Sequence, residues 1–260
     1  MILCLDVGNS QIFGGVFNAE KHLVFRFRLT SKGNNSSDEF GIFLLQVLRE
    51  NGVNPSLVKK IAISSVVPHL DYSLRSACLK YFSVQPFFVQ HNMKSDLKID
   101  YVNASELGAD RITNAIAAIH LYPGENLIIA DFGTAITFCA INSENKYLGG
   151  AIFPGLKLLV ASLAKNTAKL PIVEVIAVEN PVATTTVEGI QSGIFYGTLG
   201  ACKEMIAQFR AHQFPNQKVR VLATGGFSSM FEKYGLYDEH LPDLILHGIR
   251  FAAENNGCSL

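Results

Sequence analysis

Two short stretches of the chain place an acid, a glycine and a hydroxyl or amide at the end of an apolar run. The first acidic turn is DVGNS, residues 6–10, and the second acidic turn is DFGTA, residues 131–135. Glycine lets a backbone approach a ligand closely, and successive N–H groups in such a turn bind anions. A carboxylate repels phosphate unless a cation lies between them, as in Mg²⁺–ATP sites. The pair indicates a polyphosphate site, although ordinary hairpin turns use the same residues.

A third candidate lies in ASELGADRITNAIAAIHLYPG, residues 104–124. The apolar spacing predicts an amphipathic helix there that ends before Pro123. Asp110 lies in its first turn, where the helix dipole keeps an acid ionised, so it could accept a proton from a hydroxyl. Arg111 could bind a carboxylate through two hydrogen bonds. A first-turn acid followed by a solvated arginine is also common without any function, so the pair alone leaves both interpretations open.

Three glycine-rich segments follow the second acidic turn. GGAIFPG (149–155) and ATGG (223–226) each lie at a predicted strand end, where glycine permits ligand contact or simply a tight turn. TTTVEGIQSGIFYGTLG (184–200) is a predicted helix with Thr186 as its N-cap and with glycines four apart on one face: Gly189, Gly193 and Gly197. Each glycine costs a helix about 1 kcal/mol relative to alanine. The stripe therefore indicates either a closely packed backbone or a flat ligand.

Composition excludes several classes of function. The 260 residues include 22 basic and 22 acidic side chains, which gives no electrostatic case for a nucleic-acid or anionic-membrane partner. The apolar runs fall short of a membrane span, and the N-terminal residues lack the pattern of a signal peptide. The five cysteines are scattered and form no CxxC pair, so they are typical of reduced thiols. We expect a cytoplasmic protein without a nucleic-acid or membrane partner.

The two acidic turns belong to longer segments that match each other at an offset of about half the chain. The alignment pairs Asp6 with Asp131, Gly8 with Gly133 and Phe13 with Phe138, and one residue of slippage then pairs Asn18 with Asn142. Both segments read as three strands joined by turns, followed by alternating helices and strands. This predicts an α/β fold with mixed sheets flanked by helices. It also indicates a duplicated domain with halves 1–122 and 123–260, the alternative being two hairpins that are alike by chance.

Periodicity and capping residues predict the remaining elements. The first helix begins after Ser36 or Ser37 and ends at Gly52. The other predicted helices cover about 69–80, 156–168, 186–212 and 240–256, and the predicted buried strands lie at 59–68, 84–89 and 218–226.

Taken in order, DVGNS, GADR, DFGTA, GGAIFPG, TVEGIQSG and ATGG resemble the type III pantothenate kinases. That family belongs to the acetate and sugar kinase/heat-shock 70/actin superfamily, so the resemblance implies duplicated actin-like (ribonuclease H-like) domains with ATP in the cleft between the halves. It extends from Ile2 to about Asn256. It implies phosphorylation of the primary hydroxyl of pantothenate by ATP to 4'-phosphopantothenate, the first step of coenzyme A biosynthesis, in a homodimer.

The resemblance also implies roles for individual residues. Asp110 would be the general base, Asp6 would lie near Mg²⁺, and Asp131 would bind a monovalent cation, K⁺ or NH₄⁺. The residues implied in ATP binding are Asp6, Val7, Gly8, Asn9, Ser10, Gln11, Ile12, Phe13, Thr134, Gly225 and Gly226. Those implied in pantothenate binding are Tyr101, Gly108, Ala109, Asp110, Arg111 and Thr186.

Two alternatives stay open beside this reading. A non-catalytic regulator like the Bvg accessory factor belongs to the same family, but it is expected to have lost at least one of three acids that this chain retains: Asp6, Asp110 and Asp131. Another small-molecule kinase of the superfamily would share both acidic turns without needing GADR or GGAIFPG. The chain departs mildly from the family pattern, with Ala104 in place of a common proline and Ser10 in place of a common threonine.

Overall fold

The computed structural model describes residues 1–31, 33 and 35–258. Its strands are β1 (Ile2–Val7), β2 (Gln11–Phe17), β3 (Leu23–Thr30), β4 (Lys60–Ser65), β5 (Phe87–Phe88), β6 (Lys98–Ile99), β7 (Leu127–Phe132), β8 (Ala135–Ile141), β9 (Lys146–Pro154), β10 (Arg220–Thr224) and β11 (Glu239–His240). Its helices are α1 (Ser37–Glu50), α2 (Pro68–Ala77), α3 (Ala109–Leu121), α4 (Leu156–Asn166), α5 (Thr186–Gln213) and α6 (Leu244–Asn255).

The chain divides into two compact units. The first unit comprises Met1–Leu121 and Asp243–Leu260, and the second comprises Tyr122–Pro242. Helix α6 belongs with the N-terminal residues because its apolar side chains pack on β1. The halves 1–122 and 123–260 remain a prediction about the ancestral duplication.

The sheet of the first unit runs in the order β3-β2-β1-β4-β5. Strands β1, β2 and β3 are antiparallel, whereas β4 pairs parallel with both β1 and β5. Alternate side chains of β1 bury on opposite faces: Leu3 and Leu5 pack with α1 and α2, and Ile2 and Cys4 pack with α6. Burial on both faces explains why β1 is a continuous apolar run rather than an alternating one.

The second unit repeats this arrangement. Its strands run in the order β11-β10-β7-β8-β9, with β7, β8 and β9 antiparallel and β10 parallel to both β7 and β11. Its core packs β7, β8 and β10 side chains against α4 and α5. The predicted α/β class, with mixed sheets flanked by helices, is confirmed in both units.

Helix boundaries follow local capping chemistry. Ser36 is the N-cap of α1, and its hydroxyl and the Glu39 side chain form the reciprocal hydrogen bonds of a capping box. The prediction of Thr186 as the N-cap of α5 is wrong. The N-cap is Thr185, whose hydroxyl accepts from the Glu188 N–H, so Thr186 is the first helical residue. Among the described residues, no helix combines the length and apolar character that a bilayer crossing requires.

Candidate functional site

The first acidic turn joins β1 to β2 and is closed by backbone hydrogen bonds. The N–H of Gly8 donates to the carbonyl of Gln11 at 3.1 Å, directly after Asp6 at the end of β1. Ser31 braces the turn from the end of β3, because its hydroxyl donates to the Gly8 carbonyl at 2.6 Å and its N–H donates to the Ser10 carbonyl at 3.2 Å. The backbone of the turn is therefore held on both sides in one conformation.

The start of α3 presents the GADR residues with a constrained carboxylate. The Arg111 N–H donates to Asp110 Oδ1 at 2.8 Å. A Cβ added to Gly108 would lie 2.4 Å from the same oxygen, so a larger residue here would push the Asp110 carboxylate out of this position. Burial raises the pKa of Asp110, an effect that its hydrogen bond and the Arg111 charge partly oppose. A carboxylate with a raised pKa is a stronger proton acceptor.

The structure brings the start of α3 to the same edge of the sheet as the first acidic turn. The link is Val66, which follows β4: its N–H donates to the Val7 carbonyl at 3.0 Å. A Cβ on Gly108 would lie 3.6 Å from Val66 Cγ1. Ligands of α/β proteins bind at this carboxyl edge of the strands, so two sequence-predicted groups lie at the edge where a site is expected.

The segment before α3 forms a short ordered loop. Residues Ala104–Glu106 make a single 3₁₀ turn, with Tyr101 half-buried just ahead of it. The Asn103 side chain holds this turn, because its Nδ2 donates to Glu106 Oε1 at 2.8 Å and its Oδ1 accepts from the Ser105 hydroxyl at 2.6 Å. These side-chain bonds give the loop a local scaffold although Ala104 stands in the place of the common proline.

The second acidic turn joins β7 to β8 in a similar way. The N–H of Gly133 donates to the Ala135 carbonyl at 3.1 Å, and the N–H of Gly155 donates to the Thr134 carbonyl at 3.2 Å. A Cβ added to Gly155 would lie 2.2 Å from that Thr134 oxygen. The last glycine of GGAIFPG is therefore required by the close approach of two backbones.

The Gly225–Gly226 turn packs against the second acidic turn. Gly225 has a φ of +90°, and a Cβ there would lie 2.5 Å from both Asp131 Oδ1 and the Phe132 nitrogen. The structure thus brings together two residues to which the family resemblance assigns cation binding and nucleotide binding. A Cβ added to Gly226 would have no atom within 4 Å among the described residues.

Sequence reasoning missed the side chains that fix the Gly225 turn. The Ser228 hydroxyl donates to the Gly225 carbonyl at 2.6 Å, and His240 Nε2 lies 2.8 Å from the same hydroxyl. Because that hydroxyl has one proton, His240 Nε2 donates in the second bond. A serine three residues after a positive-φ glycine is a detectable signal for such a turn, but the histidine comes from β11 and has no local sequence signal.

The glycine stripe of α5 borders an apolar groove of about 690 Å³. A Cβ added at Gly189, Gly193 or Gly197 would have no described atom within 4 Å, so close packing inside the unit does not explain the stripe. Thr186 lies at the same groove, and the other lining residues come from β9, α4, α5 and the segment after α4: Phe153, Leu159, Ser162, Leu163, Leu170, Ile190, Ile194 and Thr198. The stripe is an open surface suited to a ligand or a partner.

The acids suit a metal that is bound largely by water and phosphate. Among residues 1–31, 33 and 35–258, no three His, Cys, Asp or Glu side chains gather as a ligand group. Mg²⁺ at nucleotide sites commonly takes one or two carboxylates and completes its coordination with water and phosphate oxygens. A single carboxylate beside a hydrogen-bonded turn, as at Asp6, fits that mode.

Comparison with known proteins gives consistent results. A family model described as type III pantothenate kinase matches residues 2–208. A type III pantothenate kinase of Legionella pneumophila (strain Corby) is 58% identical over 256 residues, which cover 98% of this chain and 99% of the relative.

Solved structures share the fold at low sequence identity. One described as a Baf family transcriptional activator from Campylobacter jejuni aligns with a TM-score of 0.58 at 19% identity and covers 98% of both chains. One described as a 2-dehydro-3-deoxygalactonokinase from Sinorhizobium meliloti has a TM-score of 0.58 at 11% identity and covers 98% of this chain and 96% of the other. These likenesses concern the fold alone, and they confirm the predicted actin-like class with its duplicated ribonuclease H-like domains.

Proposed function

Because this chain belongs to the type III pantothenate kinase family, we propose that it transfers the γ-phosphoryl group of ATP to the primary hydroxyl of pantothenate. The product is 4'-phosphopantothenate, in the first step of coenzyme A biosynthesis. The observation that carries the proposal is the full-length match at 58% identity. The position of Asp110 at the same sheet edge as the first acidic turn supports the proposal, because phosphoryl transfer needs the general base and the phosphate-binding turn in one site.

Asp110 acts as the general base. Its Oδ1 accepts the Arg111 N–H, so we assign Oδ2 to the substrate hydroxyl. As the hydroxyl oxygen forms its bond to the γ-phosphorus, the bond from that phosphorus to the oxygen of ADP breaks, and the hydroxyl proton passes to Asp110. The raised pKa makes Asp110 better suited to receive this proton than an exposed aspartate.

The remaining assignments concern binding. Arg111 and Tyr101 bind the carboxylate of pantothenate, and Thr186 with Gly108 and Ala109 completes the substrate contacts. Residues 6–13 form the first phosphate loop and the Thr134 side chain contacts ATP phosphates, while Gly225 and Gly226 lie beside the adenosine. Phosphoryl transfer needs positioning and charge neutralisation more than covalent chemistry, which suits residues of these types.

Asp6 would hold Mg²⁺ and Asp131 would hold K⁺ or NH₄⁺. When bound, these cations neutralise charge on the phosphate oxygens. Hydrogen bonds to Gly8 and Ser10 fix the turn beside Asp6, and the Gly225 backbone packs directly on the Asp131 carboxylate. Each acid is thus attached to a rigid turn that can direct its oxygens.

A cytoplasmic homodimer completes the proposal, with the open glycine stripe of α5 as support for the second copy. Gly193→Leu would place a large side chain on that surface without a clash inside the unit. We expect a shift from dimer to monomer in light scattering coupled to gel filtration. An unchanged dimer mass would remove the stripe from the interface.

An assay of ADP release tests the activity. The purified chain with Mg²⁺ and K⁺ is offered pantothenate and, separately, a panel of sugars. Turnover with pantothenate alone is the expected result, with 4'-phosphopantothenate identified by mass spectrometry. Turnover with a sugar and none with pantothenate would replace the proposal with the sugar-kinase alternative, and ATP binding without any turnover would favour the regulator.

A further inference from the structure

A row of three side chains crosses the sheet of the first unit beside the first acidic turn. Asp6 of β1 pairs with Phe13 of β2, and Phe13 pairs with Arg28 of β3. Directly paired residues of antiparallel strands project from the same face of a sheet. The row therefore places an acid, an aromatic ring and a cation side by side on the face that carries Asp6.

Arg28 is held by contacts that leave its charge available. Its guanidinium carbon lies 4.1 Å from the centre of the Phe13 ring, and Nη1 lies 3.5 Å from Gln11 Oε1. Both partners are neutral, and among the described residues Arg28 makes no ion pair within 4 Å. Partial burial lowers the pKa of Arg28 and the charge of Asp6 opposes that shift, so the carboxylate acts electrostatically on the guanidinium.

Arg26 offers a contrast on the same strand and face. It lies two residues earlier on β3, one row closer to α6, and its guanidinium donates to Asp243 Oδ1 at 2.6 Å. Asp243 is the N-cap residue of α6, so this arginine has a structural partner. The two arginines share a strand, a face and a chemical type, and among the described residues only Arg26 of the two forms an ion pair with an acid.

We propose that Arg28 is a further catalytic residue, whose guanidinium binds oxygens of the ATP phosphates at the first acidic turn. The inference rests on the proposed kinase function. Planar guanidinium matches phosphate geometry, and stacking on Phe13 fixes its plane before the nucleotide arrives. In phosphoryl transfer the protein contributes mainly by positioning the reactants and by stabilising the negative charge that develops on the phosphate oxygens, which a fixed guanidinium can do.

The second unit supports this assignment by its lack of the same cation. Its corresponding row is Asp131, Thr137 and Ile152, with Ile152 on β9 in the place of Arg28. A role in holding the three-stranded hairpin together would call for a similar side chain in both sheets. The hairpin of the second unit forms without one, so the hairpin fold does not require Arg28.

The test compares three variants by steady-state kinetics with ATP and pantothenate. Arg28→Gln keeps the length and polarity of the side chain and removes the charge, so kcat/KM for ATP should fall about 10²–10³-fold, as for other lost transition-state donors. Arg28→Lys should recover part of the loss, since charge returns without the planar fork. Arg26→Gln is the matched control and should stay within about threefold in kcat/KM for ATP, since its partner Asp243 is structural.

Calorimetry separates this inference from the proposed function. A nonhydrolysable ATP analogue with Mg²⁺ should bind Arg28→Gln more weakly than wild type, even if pantothenate proves to be the wrong acceptor. The inference is overturned if Arg28→Gln keeps kcat/KM for ATP and analogue binding within threefold of wild type. It is also overturned if Arg26→Gln shows an equal kinetic loss, because a general effect of the β3 face would then account for both.

Discussion

The hairpins β1–β2–β3 and β7–β8–β9 are two versions of one backbone. The β2–β3 and β8–β9 connections share three hydrogen bonds, made by the equivalent residues Asn18 and Asn142, and the equivalent loop residues Lys21 and Asn145 have φ values of 66° and 62°. Register shifts also recur at equivalent points, Val16/Phe17 and Ala140/Ile141. Such agreement in detail is expected of a duplicated ancestor and not of two unrelated hairpins.

The difference between the hairpins lies in the acidic turns. Val7 pairs with Ile12 across the first turn, whereas Phe132 pairs with Ile136 across the second, so the first has one more residue. Ser10 corresponds to Thr134, because the carbonyl of each accepts the backbone N–H of the residue after the third strand, Ser31 or Gly155, so Asn9 is the additional residue. The sequence alignment of Phe13 with Phe138 is therefore wrong, because the slippage occurs inside the turn and not after the second strand.

The two hairpins share their backbone geometry, whereas the side chains at their turns differ in chemical type. The first unit carries Asp6, Arg28 and the Asp110 carboxylate near its acidic turn, and these are groups that we assign to phosphoryl transfer. The second unit offers an acid packed under a glycine turn, with Ile152 exposed where the arginine would be. We infer that proton transfer and phosphate binding depend mainly on the first unit, and that adenosine placement depends mainly on the second.

The largest expected effect comes from Asp110→Asn. Loss of the positioned base should lower kcat by about 10²–10⁴-fold. KM for ATP should stay nearly unchanged, because Asp110 is assigned to the other substrate. Near-normal turnover would remove Asp110 from the role of base and with it the assignment of chemistry to the first unit.

The same variant has a predicted effect on stability. Burial raises the pKa of Asp110 above its unfolded value, so the folded state binds this proton more tightly and its stability falls as the pH rises through that range. Asparagine has no charge to bury, so Asp110→Asn should melt higher than wild type at pH 7, with the difference shrinking toward pH 3. A lower melting temperature at pH 7 would contradict the cost of burying this carboxylate.

The next effect tests the second acidic turn. Replacing K⁺ with Na⁺ should reduce wild-type activity, and Asp131→Asn should lose about tenfold or more in kcat/KM for ATP, the equivalent of 1.4 kcal/mol. The variant should also no longer distinguish K⁺ from Na⁺. Asp6→Asn is the matched control: its loss should be the same in both salts. Equal K⁺ dependence in wild type and Asp131→Asn would exclude Asp131 as the cation ligand.

Gly155→Ala probes the support of that turn. The φ of −70° at Gly155 suits any residue, so the effect comes from space alone: a Cβ would lie 2.2 Å from a backbone oxygen that cannot rotate away. We expect about 1–3 kcal/mol of destabilisation, as for other overpacked sites, and a raised KM for ATP. Gly149→Ala, earlier in the same motif, is the control for a clash with the turn, because an added Cβ there has no described atom within 4 Å. Its φ of +128° means that this variant loses stability through backbone strain, without contact with the acidic turn. Normal nucleotide kinetics in Gly155→Ala would separate this glycine from the site.

Local patterns predicted much of the fold and singled out the candidate site residues, whose roles stay predictions. Apolar runs, caps and glycine turns were sufficient for the main helices and for the repeated hairpins, because these depend on nearby residues. The two-residue strands β6 and β11 were not predicted. Asp6, Asp110 and Asp131 stood out because each is an acid beside a strand end or helix start. Arrangements that involve distant parts of the chain were not predictable. Arg28 joins the row of Asp6 and Phe13 only through strand pairing, and His240 contacts Ser228 only because β11 places it there.

The smallest expected effect comes from Ser31, the counterpart of Gly155 in the first unit. Both residues donate a backbone N–H to the acidic turn, but Ser31 adds a hydroxyl bond to the Gly8 carbonyl at 2.6 Å. Ser31→Ala removes that side-chain bond and keeps the backbone one. If the bond positions the turn for ATP, the free energy of ATP binding should weaken by about 1 kcal/mol. That equals about a fivefold rise in KM for ATP. Ser143→Ala, at an exposed loop serine of the second hairpin, should change nothing. If Ser31→Ala also left KM unchanged, the first turn would need no brace from β3, and the two hairpins would support their turns equally well through backbone bonds alone.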